Sequence, residues 1–104
     1  MKVYRSKFLS ALFQALERDA VPYCVLRNYD NIYEDTSSDI DLAVEPEDIP
    51  RLSNSLAEAA KSSGFRFVHR ARYINYSFVY WHEAAGFIRV DFETEVRWLQ
   101  VWIR

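Results

Sequence analysis

Ser38-Asp39-Ile40-Asp41-Leu42-Ala43-Val44 sets two carboxylates one residue apart inside a short apolar run. Fifty residues later Ile88-Arg89-Val90-Asp91-Phe92-Glu93 repeats the alternation. Strand side chains alternate with a period of two, so both stretches read as strands with their acids on one face. Asp39 and Asp41 then oppose Ile40, Leu42 and Val44, and Asp91 and Glu93 oppose Val90 and Phe92. If the two strands are neighbours, three or four carboxylates converge on one face of a sheet, where like charges in proximity call for a counter-ion. Mg²⁺ suits that position, because it is commonly held by a few carboxylates together with phosphate oxygens.

The rest of the chain frames this pair of strands. A length of 104 residues is that of one domain, so residues 1–104 are expected to fold around a single core. Half the residues are apolar and 27% are charged, a globular rather than a disordered composition. The net charge is −2, from 13 basic and 15 acidic residues, so no whole-chain positive excess points to nucleic acid. Cys24 stands alone in an apolar run and reads as a buried thiol in a reducing compartment. The N-terminal stretch is broken by Ser6, Lys7, Ser10 and Gln14, which removes the continuous apolar run of a signal peptide or membrane span. A cytoplasmic protein with no membrane partner is expected.

Phe8, Leu9, Leu12, Phe13 and Leu16 recur at spacings of three and four, which predicts an amphipathic helix over 3–19, stopped before Pro22. Tyr23 to Leu26 fits a buried strand, and residues 28–38 are polar and turn-rich. Glu45-Pro46-Glu47-Asp48 supplies helix-start chemistry, and Pro50 is tolerable only in a first turn, so a second helix is expected to begin near 47–49. Ile49, Leu52, Leu56 and Ala59 form its apolar stripe; Lys61 and Gly64 are C-terminal signals. Strands are expected over 65–69, 74–81 and 87–94, the last two joined by a five-residue link suited to a hairpin. The resulting class is α+β: a mixed, largely antiparallel sheet of four to five strands with helices mainly on one face. The tail 94–104, with Trp98, Leu99, Val101, Trp102 and Ile103, needs a surface to bury against. That surface lies in this domain, in a second copy, or in a further domain.

This order of elements, with Asp-Ile-Asp on one strand and Val-Asp-Phe on a later one, resembles the nucleotidyltransferase fold of the polymerase beta type from about Pro22 to Thr94. Within that superfamily, Val25-Leu26-Arg27-Asn28-Tyr29 followed by Ser-Asp-Ile-Asp-Leu-Ala-Val looks most like small bacterial nucleotidyltransferase-like proteins, some of them associated with surface-polysaccharide genes. The resemblance implies that Asp39, Asp41 and Asp91 hold Mg²⁺ and form the catalytic set, with Asp91 a ligand or the acceptor's base. It implies transfer of a nucleoside monophosphate from a nucleoside triphosphate to an acceptor hydroxyl or phosphate, with release of pyrophosphate. Arg27, Asn28 and Ser38 stand where the family binds the triphosphate. The superfamily usually has Gly-Gly or Gly-Ser there, and Arg27-Asn28 departs from it, since a glycine permits backbone approach to phosphate. Arg27 is expected either to take phosphate through its guanidinium fork or to pair with Asp39 or Asp41 in a site without metal. The alternative implied by that departure is a catalytically inactive domain that keeps the fold for protein association or nucleotide binding.

Several other features have a plainer reading beside the functional one. Glu93 is a fourth ligand or a solvated acid at a strand end. Lys61, His69, Arg70 and Arg72 make a phosphate cluster or ordinary surface charge. Tyr73, Tyr76, Phe78, Tyr80 and Trp81 make a nucleobase platform or, as aromatics in alternation usually do, core and cross-strand pairs. His69 and His82 are far apart and suggest no nucleophile arrangement.

Overall fold

The computed structural model describes residues 2–26, 39–72 and 76–94. Helix α1 (Lys2–Arg18) leads into strand β1 (Tyr23–Val25). Strand β2 (Ile40–Val44) is followed by a 3-10 turn (Pro46–Asp48) and helix α2 (Ile49–Ser63). Strands β3 (Arg66–Arg72), β4 (Tyr76–His82) and β5 (Gly86–Glu93) complete the described elements. The five strands form one sheet in the order β1-β2-β5-β4-β3. All neighbours are antiparallel except β2 and β5, which run parallel. A parallel pair needs a crossover, and α2 with the β3–β4 hairpin supplies it. The α+β class, the mixed sheet and the grouping of helices on one face are as the patterning predicts.

Both helices stop in the same way. After α1, Ala20 takes a φ of 54° and the Val21 amide donates to the Leu16 carbonyl at 2.9 Å. After α2, Gly64 takes a φ of 81° and the Phe65 amide donates to the Ala60 carbonyl at 2.9 Å. In each case the residue after the left-handed one is apolar and buried, which ties the helix end to the core. Pro22 follows the first of these caps, and Pro50 lies in the first turn of α2, where a missing amide hydrogen is harmless.

The core lies between the helices and one face of the sheet. Phe8, Leu9, Leu12 and Leu16 of α1 and Leu52, Leu56 and Ala59 of α2 are fully buried; Ile49, the first of the expected stripe, is only partly so. They meet Ile40, Leu42 and Val44 of β2, Ile88, Val90 and Phe92 of β5, and Phe78 and Tyr80 of β4. Phe78 and Tyr80 therefore belong to the core, with Phe78 edge-on to Phe92 at 5.9 Å and Tyr80 against Phe8 at 5.5 Å. Trp81, one residue out of phase, turns to the other face and packs on Phe87 at 4.6 Å. Cys24 is half-buried rather than buried, as is Val25, because β1 is a three-residue strand at the end of the sheet order with β2 as its neighbour among the described residues. No helix among the described residues is long and apolar enough to cross a membrane.

Candidate functional site

Period-two alternation puts Asp39, Asp41, Asp91, Glu93, Arg89 and Ser77 on the sheet face turned away from α1 and α2. The parallel register pairs Asp41 with Asp91, so the two carboxylates stand on adjacent strands at the same level, about 4.8 Å apart in the backbone. Both are buried, at 8% and 5% exposure. Asp39 lies two residues before Asp41, about 6.6 Å along the strand direction, and its side chain is half exposed. Glu93 is half-buried at the end of β5, opposite Ala43. Two like charges at neighbouring positions in a desolvated place repel, and each needs compensation.

For Asp91 that compensation comes from the strand on the other side of β5 and from β5 itself. Ser77 of β4 is the cross-strand partner of Asp91, and its hydroxyl donates to Asp91 Oδ1 at 2.6 Å. Arg89 Nε donates to the same Oδ1 at 3.0 Å and lies 3.8 Å from Asp39 Oδ2. Arg89 Nη2 also reaches the Ser77 hydroxyl at 3.4 Å. The hydrogen bond to Asp91, followed by the charges of Asp91, Asp39 and Asp41, holds the Arg89 guanidinium above its ordinary range. Arg89 therefore stays charged and ties Asp39 to Asp91.

Sequence patterning brings Asp39, Asp41 and Asp91 to one face, and the strands place them there. Arg27, Asn28 and Ser38, expected at the phosphates, lie outside the described residues, as do Tyr73 and the tail residues Trp98 and Trp102. Lys61 and Arg70 flank one cleft on the helix side, whereas His69 pairs with Val79 on the other face and so stands apart from them; the Arg72 side chain lies outside what is described. Arg89 and Ser77 were not legible as site residues. The signal was their phase: Arg89 is two residues before Asp91, and Ser77 interrupts an aromatic strand on the same face.

A divalent cation is compatible with this donor set in one specific sense. Among the described residues, no three His, Cys, Asp or Glu side chains converge closely enough to hold a metal ion as they stand. Asp41 and Asp91 form a pair of hard oxygen donors, and Mg²⁺ is commonly bound by one or two carboxylates with the remaining positions taken by water and substrate phosphate. Among the described residues both hydrogen bonds to Asp91 use Oδ1, and a carboxylate offers about four lone-pair sites over its two oxygens. No family model, no curated protein and no solved structure matches the chain.

Proposed function

We propose that the face carrying Asp39, Asp41 and Asp91 is a nucleotidyltransferase-type site that works with Mg²⁺. It would move a nucleoside monophosphate from a nucleoside triphosphate to an acceptor hydroxyl or phosphate, with pyrophosphate leaving. The register of Asp41 against Asp91 across a parallel strand pair, both buried, is the observation that supports this most directly. Burying two facing carboxylates is unfavourable unless a positive group shares them, and a site that receives a cation together with a polyphosphate gives that arrangement a use. Asp41 and Asp91 would hold the cation, with Asp39 at the more exposed edge. Bound there, Mg²⁺ would neutralise charge on the phosphates and orient the attacking and leaving oxygens. Ser77 fixes the Asp91 carboxylate, and Arg89 presents a permanent positive charge to an incoming phosphate.

A second reading has its own observation. Arg89 already bonds Asp91 and lies near Asp39, so it can act as the resident cation of a catalytically inactive domain that serves nucleotide binding or protein association. Calorimetric titration separates the two. With Mg²⁺ and ATP, the wild type is expected to bind, and Asp39→Ala with Asp41→Ala is expected to abolish the heat. A wild type that takes no Mg²⁺, alongside an Arg89→Gln variant that does, would establish Arg89 as the substitute cation. ATP binding that survives the double substitution would remove the acidic face from either account.

A further inference from the structure

The opposite side of the sheet holds a cleft of about 750 Å³ between α2 and the β3 edge. It exists because α2 presents Ala57 and Ala60 there, side chains too short to fill the space beneath them, while β3 is the last strand of the sheet among the described residues. Phe78 and Tyr80 form the floor. Phe67 forms a wall, 57% exposed and edge-on to Tyr80 at 5.8 Å. A large aromatic side chain left that open beside a concave apolar surface is the usual make-up of a small-ligand site, and the volume lies within the range of such sites.

The charges at this cleft are of one sign. Lys61 and Arg70 both line it, and among the described residues no acid does and neither cation is in an ion pair. Arg18, by contrast, pairs with Asp19 and Glu58, and Arg51 with Asp48. An apolar chamber flanked by two unmatched cations is complementary to a molecule with an apolar body and an anionic head.

We propose that this cleft binds a free amphipathic anion, an alkyl chain of medium length ending in a phosphate or carboxylate. The chain lies over Phe78 and Tyr80 against Ala57 and Phe67, and the head is taken by Lys61 and Arg70 through charge-assisted hydrogen bonds. The site is on the other face of the sheet from Asp41 and Asp91, and it does not depend on their role.

The test uses decyl phosphate below its micelle concentration, decanol, inorganic phosphate, and vesicles containing phosphatidic acid, each titrated into the full chain by calorimetry and amide NMR. Decyl phosphate is expected to bind one to one and to shift the amides of Ala57 and Phe67. Decanol should bind about tenfold more weakly, since it lacks the charged head, and inorganic phosphate should give no saturable signal. Ala57→Trp, placed on an exposed helix position, is expected to fill the cleft and to cut decyl phosphate affinity about tenfold or more. Lys61→Gln with Arg70→Gln is expected to bring decyl phosphate down to the level of decanol while leaving decanol unchanged. The proposal is overturned by equal binding of decanol and decyl phosphate, by no effect of either variant, or by binding to vesicles only. A dimer in sedimentation that Ala57→Trp dissolves would assign the cleft to a second copy and overturn it as well.

Discussion

Gly64 and Arg89 show two ways in which one residue fixes what its neighbours do. Gly64 has a φ of 81°, and a Cβ there would lie 3.2 Å from His82 Nε2. Gly86 has nearly the same φ, 82°, but a Cβ would meet nothing within 4 Å. Gly64→Ala and Gly86→Ala should each lose about 1–2 kcal/mol from the left-handed backbone alone. Gly64→Ala is expected to be the worse of the two, by the cost of moving His82. Urea denaturation of both variants measures that difference, and equal losses would show that His82 yields freely. Arg89 acts through charge. Its side chain is half exposed, so its pairing with Asp91 and Asp39 is screened, and Arg89→Gln is expected to lower stability by only about 1 kcal/mol. Added Mg²⁺ should then raise the melting temperature of Arg89→Gln more than that of the wild type, because the introduced cation takes over the relief of Asp41 and Asp91. An equal shift in both proteins would mean that the two cations do not compete.

At the scale of elements, alternation along β5 decides which side chains carry stability. Phe92 is fully buried and Phe87 is 65% exposed on the other face of the same strand. Phe92→Ala is expected to lose about 3–5 kcal/mol, while Phe87→Ala loses little beyond its contact with Trp81. Comparable losses in denaturant would contradict the assigned faces. On β4, burial pushes the Tyr80 hydroxyl up to about 12, above its ordinary 10. The neutral phenol is therefore the form the fold favours. Tyr80 contributes fully below pH 10, and its contribution is lost as pH rises from about 10 towards 12. Tyr80→Phe should remove that part of the alkaline loss of stability, measured as melting temperature against pH; identical alkaline profiles would mean the hydroxyl is not buried.

These elements also show what period can reveal and what it cannot. Helix spacing marks Leu12, Leu16, Leu52 and Leu56, and the cap signal at Gly64 is met by its positive φ. Strand alternation separates Ile40 and Leu42 from Asp41 and Val90 from Asp91, so the acidic face was legible. The antiparallel pairing of β4 with β5 was legible from their short link. The parallel pairing of β5 with β2 was not, because register is a property of two distant strands and of the crossover between them. Arg89 became a partner of Asp91 only once both faces and neighbours were known. The cleft beside β3 was also hidden, since it arises from the shortness of Ala57 and Ala60 relative to an edge strand, not from a motif.

For the molecule as a whole, one sheet separates two regions of different chemistry. The helix side buries the core and leaves a cationic apolar cleft where α2 ends its cover; the other side brings acids from β2 and β5 to one level. The parallel β2–β5 pair at the middle of the sheet is what unites Asp41 and Asp91, and the proposed nucleotide chemistry depends on those two carboxylates sharing a cation. Paramagnetic broadening of assigned amide resonances by substoichiometric Mn²⁺, with ATP present, observes this directly. The expected result is early loss of the signals of residues 40–42 and 90–92, abolished by Asp41→Asn, with Gly64 and β3 unaffected. Broadening spread over exposed acids such as Glu47 and Glu58, or broadening at β2 and β5 unchanged by Asp41→Asn, would contradict it.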